Sequence, residues 1–272
     1  MLMVNPTSFF YPTPSLTNWG VAVALNTVLG AIAWIAPKKL LTLAGLLHAW
    51  FLGVLVWGCL GWQGYIVVMF YFLVGSGVTK VGMAQKEAEG IAEKRSGARG
   101  PENVWGSALI AALCAIGVLV CQLFFAAAIA TPLVVSLLLL GYVASFSTKL
   151  ADTCASEIGK AYGQRTFLIT TLKPVPRGTE GAISLEGTVA GIIAAISVAV
   201  LGWTVGLISP TAIVICVIAA FIATNLESVI GATLQNQIAW LTNELVNIIN
   251  TLIGAMIAMV IALILLRFSQ SL

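Results

Sequence analysis

Charge is scarce in this sequence. Of 272 residues, 13 are basic and 10 acidic, together 8%, against about 25% in an average soluble domain. So little charge excludes an ordinary soluble enzyme. Histidine is nearly absent: His48 stands alone, which excludes a multi-histidine metal site and leaves it as a packing or interfacial residue. Five cysteines, Cys59, Cys114, Cys121, Cys154 and Cys216, show no paired metal spacing and mostly fall inside apolar runs, where small buried residues pack helices. The stretch Met1 to Gly20 contains Pro6, Pro12 and Pro14 but no basic residue. It lacks the charged start of a signal peptide, so the first apolar run is expected to be a retained span. The basic residues sit between apolar runs and form no basic domain, so no nucleic-acid partner is expected.

What the chain has in abundance is apolar length. It is 60% hydrophobic, with a mean hydropathy of +1.03, and its apolar stretches of roughly 20 residues can each cross a hydrocarbon core about 30 Å thick. Lipid cannot satisfy exposed backbone groups, and the stretches are continuous rather than alternating, so the spans are expected to be helices. The expectation is an all-α, polytopic transmembrane helix bundle: a single membrane domain over 1–272 with no soluble domain. Apolar runs and breakers place spans near 17–36, 40–60, 63–79, 104–123, 126–148, 187–208, 211–231 and 245–267. That makes about eight, with six or seven as alternatives. Pro37 with Lys38 and Lys39 could join the first two runs in a hairpin, and Thr131–Pro132 could break the fifth. No internal repeat is visible, which counts against inverted-repeat transporters.

Alternating the sides of eight spans puts Lys38 and Lys39, Lys80 to Arg99, and Lys149 to Arg177 on one face, with only Arg267 opposite. Basic residues in short loops mark the cytoplasmic side. Loops at about 80–103 and 149–186 are therefore expected in the cytoplasm and both termini away from it.

Acidic residues within or beside spans are costly and become functional candidates. Asp152 and Glu157 lie in STKLADTCASEIG. On a helix Asp152, Ser156 and Gly159 share a face, whereas Glu157 points roughly 140° away. A hard divalent cation could gather Asp152 with Glu157 if the helix breaks, or with Glu227 and Glu244 from the last hairpin. Alternatively Glu157 pairs with Lys160 as a solvated helix end.

The segment KPVPRGTEGAISLEGT, Lys173 to Thr188, has Gly178, Gly181 and Gly187 among Thr179, Ser184 and Thr188, after Lys173 and Arg177. Free amides, hydroxyls and cations at the start of a span suit an oligophosphate, although a flexible loop with a helix cap has the same composition. In the loop Lys80 to Trp105, Glu87, Glu89 and Glu93 interleave with Lys86, Lys94 and Arg95, the pattern of a solvated surface helix. Arg95 and Arg99, beside glycines, could instead grip an anionic ligand in two-pronged fashion. Asn243, Asn247 and Asn250 form one polar stripe, and Asn225 and Ser228 begin another. Such stripes line a site or bond helix to helix.

Three segments together, ADTCASEIG at 151–159, KPVPRGTEGAISLEGT at 173–188, and ESVIGATLQNQ at 227–237 with TNELVN at 242–247, resemble the integral-membrane family that contains phytyl-phosphate kinase of tocopherol synthesis. The resemblance covers about residues 70–268. It implies phosphoryl transfer from a nucleoside triphosphate, often CTP, to an isoprenyl monophosphate such as phytyl phosphate, with Mg²⁺ bridging phosphates. It also implies a location in the plasma or thylakoid membrane if the source is cyanobacterial. Carried over, Asp152, Ser156 and Glu157 match the family's acidic motif. Lys173, Gly178, Thr179, Gly181, Ser184, Gly187 and Thr188 match its Gly/Thr loop, and Glu227, Ser228, Gly231, Asn243 and Asn247 its carboxy-terminal motifs. The family usually has Trp in place of Cys154, Asn-Gly-Gly-Val in place of Glu180–Ile183, and Asp in place of Glu227.

The expected site therefore has Asp152, Glu157 and Lys173 as catalytic residues and Asp152, Glu157 and Glu227 as metal ligands. Arg95, Arg99, Ser156, Arg177 and the Gly/Thr loop would hold the donor, and Asn225, Ser228, Asn243 and Asn247 the lipid phosphate. A lipid-phosphate cytidylyltransferase would use the same phosphates and metal. A transporter of lipid or small anions would use the same buried acids, but two long polar loops on one face argue against it.

Overall fold

A computed structural model describes residues 16–36, 40–129, 131–235 and 237–270, so the expected role of Lys38 and Lys39 lies outside the described residues. Helices α1 (Leu16–Ile35), α2 (Leu43–Thr79), α4 (Pro101–Phe124), α5 (Thr131–Tyr162), α6 (Leu185–Thr204), α7 (Pro210–Ile230) and α8 (Asn243–Gln270) are each long and apolar enough to cross a membrane. The short α3 (Met83–Ala88) and a 3₁₀ turn at Lys94–Gly97 lie between α2 and α4. A helical, multi-pass membrane bundle is therefore what this sequence forms.

Seven helices make eight passes because α2 doubles back. At Gly61 the backbone takes φ 67° and ψ −162°, a combination essentially confined to glycine. Gly45, near the start of α2, approaches the Arg99 carbonyl so closely that a Cβ would lie 2.3 Å from its oxygen. Gly75, near the end, lies against the guanidinium of the same residue, 2.9 Å from the corresponding Cβ position. Thirty residues of straight helix would hold those glycines about 45 Å apart. Two arms, 43–60 and 62–79, must therefore run side by side from a turn at Gly61, which coincides with the break expected between the second and third spans. Asn26 of α1 touches both arms, pressing on Gly53 and accepting a 3.0 Å hydrogen bond from Tyr65.

Two expected boundaries move. Thr131 and Pro132 open α5 rather than breaking it, as proline in a first helical turn permits. At its other end α5 runs to Tyr162, so the polar connection begins near 163 and not at 149. Lys149 and Asp152 interrupt the apolar run, yet they are paired inside the bundle, and the helix continues past them. α5 is the central helix, with most of its length buried. α6 crosses it at small residues: Cβ atoms at Gly187 and Gly191 would meet the backbone carbonyls of Ala155 and Ala151 at 2.4 and 3.0 Å.

Between α5 and α6, β1 (Thr166–Leu168) pairs antiparallel with β2 (Ala182–Ser184), Thr166 opposite Ser184 and Leu168 opposite Ala182. This hairpin and the segment 80–99 share one end of the bundle. Arg177 of the strand connection pairs with Glu89 at 2.6 Å, and Lys160 near the end of α5 with Glu93 at 3.8 Å. Lys86, fully buried, pairs with Glu157 of α5 and donates to the Thr79 carbonyl at 2.8 Å. His48 packs edge-on to Trp105 and accepts its indole hydrogen bond at 2.8 Å.

Candidate active site

Beneath the two polar connections lies a cavity of about 990 Å³. Its central group is on α5. Lys149 donates to Asp152 at 2.6 Å, one helical turn away, and to the Asn247 side-chain oxygen on α8 at 2.7 Å. Asp152 is 5% exposed and Lys149 7%. Burying these charges is tolerable because they are paired and hydrogen-bonded. Glu227 of α7 lines the same cavity and lies close enough to Asp152, Lys149 and Glu180 to interact with their charges. Residues distant in sequence, 149, 152, 227 and 247, thus converge. Among the described residues, seven carboxylates line the cavity (Glu93, Glu102, Asp152, Glu157, Glu180, Glu227 and Glu244) against four cations, Arg95, Arg99, Lys149 and Lys160.

Other expected residues are also at the cavity. Ser156 is exposed into it, one turn beyond Asp152. Arg99 lines it with its guanidinium over the Tyr71 ring, 5.3 Å from the centroid, and donates to that phenol at 2.6 Å. Arg95 pairs with Glu102 and donates to Asn103 at 2.9 Å. Asn243 accepts from Gln235 at 2.6 Å, Asn225 donates to the Phe221 carbonyl at 2.7 Å, and Ser228 donates to the Thr224 carbonyl at 3.2 Å. All of these residues line the cavity.

The Gly/Thr segment divides. Gly178, Thr179, Gly181, Ser184, Gly187 and Thr188 reach the cavity wall, but several are occupied by structural work. Ser184 caps α6, accepting from Gly187 N–H at 3.1 Å, and Thr188 donates to the Ser184 carbonyl at 2.9 Å. Gly181, at φ 76°, lies against Ala232 and the Ser228 carbonyl, where a Cβ would come within 2.5 Å of both. Two cations do not reach the cavity. Lys173 is exposed in the connection between the strands, and Arg177 is committed to Glu89 and the Ala161 carbonyl. Neither is among the residues that line the cavity. The two cations expected beside a polyphosphate thus stand outside the cavity wall in this structure, with Arg177 paired to a neighbouring acid.

Glu157 is turned from Asp152 toward Lys86, with Lys160 3.6 Å away. Among the described residues no group of three acidic, histidine or cysteine side chains gathers to hold a metal, so Asp152, Glu157 and Glu227 do not form a three-ligand set. Asp152 and Glu227 remain an acidic pair at the cavity. Two carboxylates completed by phosphate oxygens and water fit Mg²⁺, which rarely relies on an all-protein cage. Lys149 and Lys86 are not among the residues to which the motifs point. The signal for Lys149 is a lysine inside an apolar run, three residues before an aspartate.

The chain is similar to several known membrane proteins. Residues 26–255 match the family described as Integral membrane protein DUF92. The chain is 64% identical over 244 residues to the membrane protein sll0875 of Synechocystis sp. (88% of this chain, 90% of that protein). It is 43% identical over 250 residues to Protein VTE6, chloroplastic, of Arabidopsis thaliana (89% and 71%). A membrane protein of Methanocaldococcus jannaschii, MJ0933, is 32% identical over 209 residues (76% and 79%). No solved structure matches. On the matched length and these identities, the chain belongs to the DUF92 family of integral membrane proteins.

Proposed function

We propose that this protein is a membrane kinase that moves a phosphoryl group from a nucleoside triphosphate, CTP by preference, to an isoprenyl monophosphate such as phytyl phosphate. The carrying observation is the buried Lys149–Asp152–Asn247 cluster on the wall of a large acidic cavity at the polar end of the bundle. The 43% identity to Protein VTE6 supports the same reading.

The donor is water-soluble and the acceptor's tail lipid-soluble, so the two phosphates must meet at the membrane edge. The acceptor phosphate is already anionic and hardly needs a base. One of its oxygens forms the new P–O bond as the bond to the departing nucleoside diphosphate breaks in line. What the protein supplies is placement and charge. Lys149, held from two sides, presents its remaining N–H toward the transferring group. Asn247 fixes the lysine and faces the acceptor. Arg95 and Arg99, at the loop side of the cavity, would hold the donor, Arg95 by exchanging Glu102 for a phosphate. Seven carboxylates against four cations would repel a bare polyphosphate, which supports a requirement for Mg²⁺ held by Asp152 and Glu227. When bound, Mg²⁺ would neutralise phosphate charge.

The test is purified protein in lipid, offered each of several isoprenyl monophosphates with each nucleotide and Mg²⁺, followed by mass spectrometry of the lipid. A prenyl diphosphate is the expected product. A CMP adduct would convert the assignment to a cytidylyltransferase, and unchanged lipid with every nucleotide would overturn it.

A further inference from the structure

The cavity does not stop at the polar layer. On α6 it is lined by Thr188, Gly191, Ile192 and Ala195, and on α7 by Val217, Phe221, Thr224 and Ser228. Each set repeats at three- and four-residue intervals, so each is a single stripe along one helix face. Ala195 lies about 15 Å along α6 from its start, and Val217 about 20 Å back from the end of α7. The two stripes therefore descend from the polar end to a similar depth, deep in the hydrocarbon layer.

Both walls change character on the way down. Near the polar end they carry Thr188, Ser228 and Thr224, and the Thr224 hydroxyl has no hydrogen-bond partner among the described residues. Below, they carry Ile192 and Phe221, above a floor where Ala195 and Val217 pack with Ala151 and Ala220. Phe221 is 47% exposed, and its neighbours Ile218 and Ile222, which do not line the cavity, are exposed as well. A cavity-lining residue that borders the exposed stripe of α7 at that depth places a side opening there, where the medium is lipid.

We propose that this is a slot between α6 and α7 that takes the prenyl tail of the lipid acceptor, with Phe221 at its lip. The occupant's identity rests on the kinase reading, whereas the slot itself rests on the two stripes. An amphiphile entering from the bilayer would place its phosphate among Lys149, Asp152 and Asn247. Its first isoprene units would lie against Ile192, Ala195 and Val217, and the rest of the tail would pass Phe221 into the membrane. Only the part of the tail nearest the phosphate would then be read by the protein.

The experiment uses the full chain in lipid nanodiscs and a twenty-carbon prenyl monophosphate bearing a diazirine near its second isoprene unit. After irradiation, adducts mapped by mass spectrometry are expected on Ile192, Val217 or Phe221 and should be lost in the presence of excess unlabelled prenyl monophosphate. Adducts confined to the outer faces of α1 and α2 would overturn the slot. As a second measurement, Val217→Trp narrows the passage. Its KM for the twenty-carbon acceptor should rise about ten-fold more than its KM for a five-carbon one, and equal effects on both would overturn the slot. Should Val217→Trp fail to fold, the crosslink on the unmodified protein decides alone. Competed adducts at α6 and α7 without any turnover of the unmodified protein would sink the kinase reading and leave the slot standing. Turnover with adducts elsewhere would do the opposite.

Discussion

The connection between α5 and α6 and the interior of the bundle at Lys149 carry similar residue types, yet they use them in opposite ways. In the connection, Arg177 spends its charge on Glu89, and Lys173 faces solvent. In the interior, Lys149 is held by Asp152 and Asn247 at a cavity wall. A solvated cation can pair with any acid that drifts near, at little gain. A cation among apolar helices must be paired deliberately, and it persists there only where the pairing or its chemistry justifies the desolvation. Buried position, more than richness in glycine and lysine, is therefore the better guide to the site of this bundle.

The largest test of that contrast concerns the buried pair that serves structure. Lys86→Met leaves the Glu157 carboxylate, 3% exposed, with only the more distant Lys160. A loss of about 3–5 kcal/mol is expected, read as a lower melting temperature in detergent, and Lys86→Met with Glu157→Leu should recover part of it. An unchanged melting temperature in Lys86→Met would erase the distinction between interior and surface pairs. Asp152→Asn probes the interior pair assigned to chemistry. Turnover should drop about 100- to 1000-fold while the protein still extracts and melts as a folded species. Near-normal activity across Mg²⁺ concentrations would remove Asp152 from the mechanism.

Asn247→Ala removes one of the two acceptors that hold Lys149. Losing a hydrogen bond to a charged group costs about 1.5–3 kcal/mol, roughly ten- to a hundred-fold. The loss should appear chiefly in the KM for the prenyl phosphate and not in that for the nucleotide. The reverse pattern would mean that the donor, rather than the acceptor, lies on the α8 side. Gly61→Ala tests the doubled-back α2. At φ 67° and ψ −162° a side chain should cost about 1–3 kcal/mol of stability, with kinetic constants little changed in the fraction that remains folded.

The passes were legible because each needs a run of apolar residues about 20 long, and the chain supplies eight. Even the turn in α2 shows itself as Gly61 between two such runs. The end of α5 was not legible in the same way. Lys149 and Asp152 look like the edge of a span to any count of hydropathy, and only their mutual pairing and Asn247 keep the helix inside the bundle. The segments that carry the family resemblance, 151–159, 173–188, 227–237 and 242–247, all reach the cavity, where they are joined by the segment 90–107. Partner choice within them was hidden because it is long-range: Arg177 finds Glu89 across 88 positions and Lys86 finds Glu157 across 71. No local spacing rule reaches that far, so a lysine in a Gly/Thr loop and a lysine in a span carried equal weight until the fold separated them.

The smallest expected effect is also the sharpest test of the comparison. If charge in the Gly/Thr connection served the donor phosphates directly, Lys173→Ala would raise the nucleotide KM by roughly ten- to a hundred-fold, the cost of a charged hydrogen bond. Lys173 is exposed and its side chain does not line the cavity, although its carbonyl accepts from Leu168 N–H at 3.0 Å within the strand connection. Substitution by alanine keeps that backbone bond and removes only a solvated charge, whose influence at a distance is screened within about 8–10 Å at physiological salt. Both Michaelis constants should therefore stay within about two-fold, and stability within about 0.5 kcal/mol. Measuring the same variant at low ionic strength separates direct contact from field. A modest rise in nucleotide KM that vanishes with added salt would mark Lys173 as part of the general attraction for an anion. A ten-fold rise that persists in salt would mean that the connection between the strands closes over the bound donor and brings Lys173 to it, returning the loop to the site.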